Sequence, residues 1–143
     1  MLKPIVYIFI SIAICILCSC DKLDENGNLD GNWQLTEWRD LKTDEVLETN
    51  ETSKIYYTVK LNLLKMQDFS LRVSATTYNS QFCVRGDSLV LTQSYSRPLD
   101  NIVAFDSLAA YGCPADGRFK ISTLTSTSLV LQTDNSRLSF RKF

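Results

Sequence analysis

Histidine, cysteine and the carboxylates decide what chemistry this chain can perform. Histidine is absent from all 143 residues. That removes imidazole general bases, Ser-His-Asp and Cys-His pairs, and every His-ligated metal site. The 16 Asp and Glu residues are scattered through polar stretches. They show no glycosidase-like pairing, and the chain has no Gly-X-Ser-X-Gly turn and no phosphate-cradling loop. No catalytic residue, metal ligand or cofactor is expected. The formal net charge of −1 argues against a nucleic-acid partner on bulk electrostatics.

The five cysteines carry the remaining chemistry. Cys15, Cys18 and Cys20 lie at the end of a greasy leader in which Lys3 is the single charge before residue 20. A charged start, an apolar middle and small residues at a cut site predict a secretory signal over residues 1–19. A retained membrane anchor would need about 20 apolar residues. The run 5–18 is shorter, and Asp21, Lys22, Asp24 and Glu25 follow at once. Leu17-Cys18-Ser19-Cys20 resembles the bacterial lipobox, with Leu at −3, a small residue at −1 and Cys20 as the acylated residue. The resemblance implies a diacylglycerol thioether and an N-terminal acyl chain on Cys20. Several chains explain stable anchoring, because one alone binds only marginally.

Residues 20–30 read as the lipidated Cys and an acidic tether. The tether resembles the acidic stretch after the lipid Cys in Bacteroidetes lipoproteins, where it accompanies export to the surface. In enterobacteria Asp at +2 would instead signal retention at the inner membrane. The expected location is the bacterial envelope, lipid-anchored at the outer membrane and either periplasmic or surface-exposed. Cys83 and Cys113 then remain in an oxidising compartment. They permit a disulfide, the alternative being two unpaired small hydrophobes.

Positioning these groups falls to elements with a period of two. Ile55, Tyr57, Val59, Leu61 and Leu63 alternate with polar neighbours and predict one long strand. Phe69, Leu71, Val73 and Ala75 predict a second, and Tyr78, Ser80, Phe82 and Val84 a third with Cys83 on its other side. Arg85-Gly86-Asp87 reads as a turn, which also accounts for its match to an integrin-recognition tripeptide. Leu89 and Leu91, Phe119 and Ile121, Leu129 and Leu131, and Leu138 and Phe140 mark later strands. Trp33 and Leu35 begin the series, with 41–53 as a loop. Asp134-Asn135 predicts a tight hairpin. The connection 93–117 is expected to cover one end, with residues 102–105 as its packing stretch. The expected fold is all-β: about eight antiparallel strands in an up-and-down barrel over residues 31–143. A membrane-embedded barrel is disfavoured, because Arg137 and Arg141 share the face of Phe143 that would meet lipid.

Leu29-Asp30-Gly31-Asn32-Trp33-Gln34-Leu35 resembles the Gly-X-Trp opening of lipocalins and lipocalin-like bacterial domains. Residues 138–143 and the Gly86-Asp87-Ser88-Leu89-Val90-Leu91 turn and strand resemble those of small lipocalin-like lipoproteins of Bacteroidetes. The resemblance implies that Trp33 closes one end of the barrel against an Arg near the last strand, with Arg141 first and Arg137 second. It also implies a monomeric binding protein that takes a small apolar ligand or an envelope protein. The alternative is an accessory subunit or carbohydrate-binding module of a surface assembly, with Trp38, Tyr56, Tyr95 and Tyr111 as candidate stacking aromatics. Tyr57, Phe69, Phe82, Phe119 and Phe140 are expected to fill much of the interior. Asp87-Ser88-Leu89 and Asp106-Ser107-Leu108 resemble a short O-glycosylation pattern, which marks Ser88 and Ser107.

Overall fold

Alternating apolar side chains become strands throughout the computed structural model, which describes residues 25–70 and 77–143. The strands are β1 (Gly31–Asp40), β2 (Val46–Thr49), β3 (Ile55–Lys60), β4 (Leu63–Asp68), β5 (Thr77–Arg85), β6 (Ser88–Arg97), β7 (Asn101–Val103), β8 (Arg118–Leu124), β9 (Ser128–Gln132) and β10 (Ser136–Lys142). All pairings are antiparallel. The order is β10-β9-β8-β6-β5-β4-β3-β1, and β1 pairs with β10 to close the ring. Eight strands thus form the expected barrel, and β2 and β7 are additions to it. β2 continues the edge of β1 at Glu37–Arg39, beyond where β3 stops at Gln34. β7 does the same for β6 at Ser94–Ser96, beyond β8.

One set of side chains fills the ring. Trp33, Leu35, Tyr57, Val59, Leu64, Met66, Phe82, Leu89, Leu91, Phe119, Leu129, Leu131, Leu138 and Phe140 are all buried in a single cluster. Each large side chain of this kind contributes about 1.5–3 kcal/mol on burial. Bulges keep the inward face inward as the wall bends. The register slips between Leu35 and Glu37 on β1, between Gln81 and Phe82 in the β5–β6 pair, and between Ile121 and Thr123 on β8. An extra residue turns every later side chain by one face. The slip in the β5–β6 pair brings Ser94 inside, where its hydroxyl meets that of Ser80 at 2.6 Å. Paired this way, two buried hydroxyls avoid the cost of an unmade hydrogen bond.

Both ends are shut. At one end a 3-10 turn (Gly27–Leu29) drives Leu29 under Trp33, whose indole N–H donates to the Leu29 carbonyl at 2.8 Å. At the other end the 98–117 connection folds inward through a 3-10 helix (Phe105–Tyr111) and buries Leu108, Tyr111 and Cys113. The Tyr57 hydroxyl donates to the Tyr111 carbonyl, and the Tyr78 and Tyr111 rings meet edge-on at 5.4 Å. The expected cover is therefore present, and Val103 and Phe105 of its expected packing stretch do pack against the core. Ile102 lies outside at 68% exposure, and Leu108, Tyr111 and Cys113 supply the fully buried contacts.

Two strand boundaries also differ from expectation. The single long strand through Leu63 is a hairpin that reverses at Leu61-Asn62 between β3 and β4. Leu61 adopts a φ of 55°, a left-handed conformation uncommon for leucine. Its carbonyl accepts the Asn26 amide at 2.7 Å, and the Asn62 carbonyl accepts the Phe82 N–H at 3.0 Å, so contacts from outside the hairpin hold the turn. The reversal moves Leu63 to the outer face and makes Leu64 and Met66 the inward residues. Phe69 follows β4 and is 57% exposed, not an interior filler. The remainder of the expected 69–75 strand, with Leu71, Val73 and Ala75, lies outside the described residues. So do the leader and Cys20.

A tight glycine fastens the plug, and a second in an open turn serves as its comparison. Gly112 has a φ of 86°, and a Cβ there would sit 2.8 Å from the Leu138 side chain. Gly86 in the β5–β6 turn has a φ of 61° but open space around it. Gly112→Ala is therefore expected to lower unfolding free energy by about 2–4 kcal/mol through combined backbone strain and overpacking. Gly86→Ala should cost about 1–2 kcal/mol from backbone strain alone. Urea unfolding of both variants checks the ranking, and equal losses would contradict the packing of the plug.

Candidate functional site

Among the described residues the interior is filled by side chains. Trp33, Tyr57, Met66, Phe119 and Leu138 have no exposed surface. No buried side-chain polar atom lacks a partner among the described residues. An interior that held a polar ligand would show such orphans. The grooves lie on the outer surface.

The closing contact of Trp33 is made by a different cation from the one expected. Trp33 lies opposite Lys142 in the β1–β10 register, and Gln34 lies opposite Arg141. Side chains alternate across a strand, so Lys142 shares the face of Trp33 and Arg141 faces outward. The Lys142 ammonium sits 4.7 Å from the Trp33 ring and donates to the carbonyls of Asn28 and Asp30, each at 2.8 Å. Gly31 belongs to the same arrangement. With a φ of 133°, it would place a Cβ 3.1 Å from the Lys142 stem. The Gly-X-Trp spacing thus lets a lysine cross the glycine and cap the indole. Arg137 pairs with Gln132 and Arg39 in the register and lies far along β10 from Trp33.

Cys83 and Cys113 are free thiols. Cys83 stands on the outer face of β5, between Gln81 and Arg85 in the outward set. Cys113 is buried in the plug. Strand alternation on one side and plug burial on the other keep them apart. Ser88 opens β6 half-buried, and Ser107 is exposed on the 3-10 helix. No cluster of three or more Cys, Asp or Glu that could hold a metal exists among the described residues. Of the four candidate stacking aromatics, Tyr111 is buried in the plug and the indole of Trp38 donates to the Ser136 hydroxyl at 3.1 Å. Tyr95 donates to Gln93 at 2.8 Å. The four do not form one platform.

Tyr56 stands in a different aromatic group. Its ring meets Phe69 at 5.4 Å and 72°, and Phe143 at 5.1 Å and 65°. These rings line a groove of about 440 Å³ on the outer wall, together with Asn32, Lys54, Thr58, Lys65 and Gln67. Register places them: Asn32 pairs with Thr58, Thr58 with Lys65, and Tyr56 with Gln67. Gln34, only 7% exposed, anchors the group. Its Oε1 accepts Nε and Nη2 of Arg141 at 2.9 and 2.7 Å. Its amide nitrogen must then donate, and it does so to the Tyr56 hydroxyl at 3.1 Å. Arg141 thus orients Tyr56 through Gln34. Phe69 was expected inside, and Phe143 was read only as the end of the last strand. The signal that would have found Phe143 is its parity with Arg137 and Arg141: an aromatic on a charged face.

Burial pushes the Cys113 thiol up to about 12, with the Asp116 charge adding to it. Burial likewise raises the Tyr57 and Tyr111 phenols, Tyr57 furthest. Each is raised in the folded state, so each contributes stability below its unfolded value and loses it as pH rises through the folded value. The melting temperature is expected to fall steadily above about pH 9. At pH 8, iodoacetamide should modify Cys83 in the native protein and leave Cys113 intact until it unfolds. Peptide mapping reads the two sites separately. Rapid native modification of Cys113, or a melting temperature unchanged to pH 11, would contradict the plug.

The family model of the lipocalin-like domain matches residues 15–143. Among solved structures, the chain is similar to a lipocalin-like protein from Bacteroides uniformis ATCC 8492. Identity is 22% and the TM-score 0.60, over 82% of this chain and 100% of that one. It is also similar to an uncharacterized protein from Bacteroides eggerthii DSM 20697, at 18% identity and TM-score 0.57, over 80% of this chain and 98% of that one. A protein from Burkholderia xenovorans, solved by NMR, matches at 13% identity and TM-score 0.52, over 87% and 92%. No curated protein matches. At these identities the structures speak for the fold. The family match covers most of the chain, and the protein belongs to the lipocalin-like domain family.

Proposed function

We propose that this is a non-catalytic binding lipoprotein of the bacterial envelope, anchored through acylated Cys20, which takes its ligand or partner on the outer wall of a filled barrel. The observation that carries the reading is the filled interior. A lipocalin-like fold is a frame for binding, and here the frame's inside is occupied by its own side chains. Function then falls to the outside.

The tether supports the same reading. Asn26 is pinned to the Trp33 end of the barrel: its backbone and amide nitrogens donate to the Asp30 carboxylate at 3.1 and 2.6 Å. The five Cα–Cα steps from Cys20 to Glu25 span at most about 18 Å. An acyl group on Cys20 therefore holds the Trp33 end towards the membrane and leaves the wall and the plugged end free. The absence of histidine, and the lack of clustered acids among the described residues, support a non-catalytic role.

Protein recovered from its own host should carry the mass of diacylglycerol and an acyl chain on Cys20, and should sediment with membranes. Cys20→Ser should abolish both. An unmodified Cys20, or unchanged sedimentation of the variant, would contradict the anchored reading.

A further inference from the structure

The groove over β3 and β4 carries a chemistry that the filled barrel does not explain. Three aromatic rings stand on an outer wall whose neighbours are polar, and Phe143 remains 67% exposed. The groove's volume falls within the ~300–1,000 Å³ usual for small-molecule sites. Among the described residues no carboxylate side chain lines it, in a chain with more acidic than basic residues. Lys54 and Lys65 line it, and neither is in an ion pair among the described residues.

The polar groups have capacity to spare. Gln34 donates to the Tyr56 hydroxyl, which leaves the Tyr56 O–H free to donate outward. Thr58 donates to Asn32 Oδ1 at 2.9 Å, which leaves the Asn32 amide N–H groups as donors. Gln67 donates to Thr77 at 3.2 Å, which leaves its Oε1 as an acceptor. The complement is a molecule with an apolar C–H face, hydroxyl edges and a negative charge. The rings meet at 72° and 65°. They form a concave corner that suits a puckered sugar ring better than a flat base, which prefers a parallel slot. An open groove also leaves an alkyl chain in water, which disfavours a fatty acid.

We propose that this groove binds an acidic saccharide, a sugar bearing a carboxylate or sulfate, with Tyr56, Phe69 and Phe143 on its apolar face and Lys54 and Lys65 on its charge. The proposal rests on the outer-wall reading and names its ligand class. Tyr56 and Lys65 are the contact residues, and Gln34 and Arg141 are positioning residues.

The test is calorimetric titration of the full acylated chain in detergent with four probes: tetragalacturonate, a sulfated heparin tetrasaccharide, neutral maltotetraose and AMP. At least one acidic saccharide is expected to bind at least tenfold more tightly than maltotetraose, more weakly as salt rises. Tetragalacturonate carries carboxylates alone and the heparin probe both carboxylates and sulfates, so binding of the first shows that a carboxylate suffices. Lys65→Gln should weaken that binding about tenfold and Tyr56→Phe about fivefold, while Lys120→Gln on the far wall leaves it unchanged. Saturation-transfer NMR on the unsubstituted chain, from aromatic protons to the sugar, reads the ring contact without any variant. The proposal is overturned by no acidic-saccharide binding at millimolar concentration, by equal binding of maltotetraose, by binding of AMP alone, or by indifference to Tyr56 and Lys65. Those results would leave acylation and membrane sedimentation untouched, so the ligand class and the anchored reading fail separately.

Discussion

The pairing of β1 with β10 sets the terms for the rest of the molecule. It runs from Trp33 opposite Lys142 to Asp40 opposite Ser136, and it joins strands about a hundred residues apart in sequence. Closing the ring removes the open sheet edges of its eight strands and gives every strand an inside and an outside. Trp33 goes in and meets Lys142. Gln34 goes out and meets Arg141. One register therefore supplies both the end-closing contact and the positioned tyrosine of the outer groove. Gly31 is part of the constraint, because its φ of 133° strains any other residue and a Cβ there would press on the lysine stem at 3.1 Å.

An eight-stranded ring has an interior only wide enough for side chains or one small ligand. This chain fills it. Large residues crowd it even from strands on either side of β1, as where the Tyr57 and Phe140 rings meet at 4.7 Å with a tilt of 41°. The 98–117 connection then seals the end opposite Trp33. The seal is anchored by hydrogen bonding and close packing: Tyr57 to the Tyr111 carbonyl, and Gly112 against Leu138. On the proposed outer-wall reading, binding moves from the cavity that the fold could have offered to the wall that it leaves exposed. The structural relatives, all at 22% identity or less, share the frame.

Much of this was legible in the residues, and the failures have physical causes. Alternation located the inward residues of β1, β5, β8, β9 and β10, and Gly-X-Trp located the closed end. The β3–β4 reversal was hidden because its turn uses Leu61 and Asn62, with no glycine or proline, and is held by Asn26 and Phe82 from elsewhere. Bulges hid the inward turn of Ser94, since an inserted residue breaks the period that reveals a face. Arg141 was matched to Trp33 by analogy, while the alternation along 137–143 already put it on the solvent side. The groove escaped notice because Phe69 was assigned to the inward face of a separate 69–75 strand, whereas it follows β4 and is exposed.

The described residues pack the barrel shut from Leu29 at one end to Tyr111 at the other. Xenon enters dry apolar cavities, so a crystal of the chain pressurised with xenon tests this packing directly. No xenon is expected within the ring bounded by Trp33, Tyr57, Phe82, Phe119 and Leu138. A well-occupied xenon site among those side chains would contradict it and return binding to the interior.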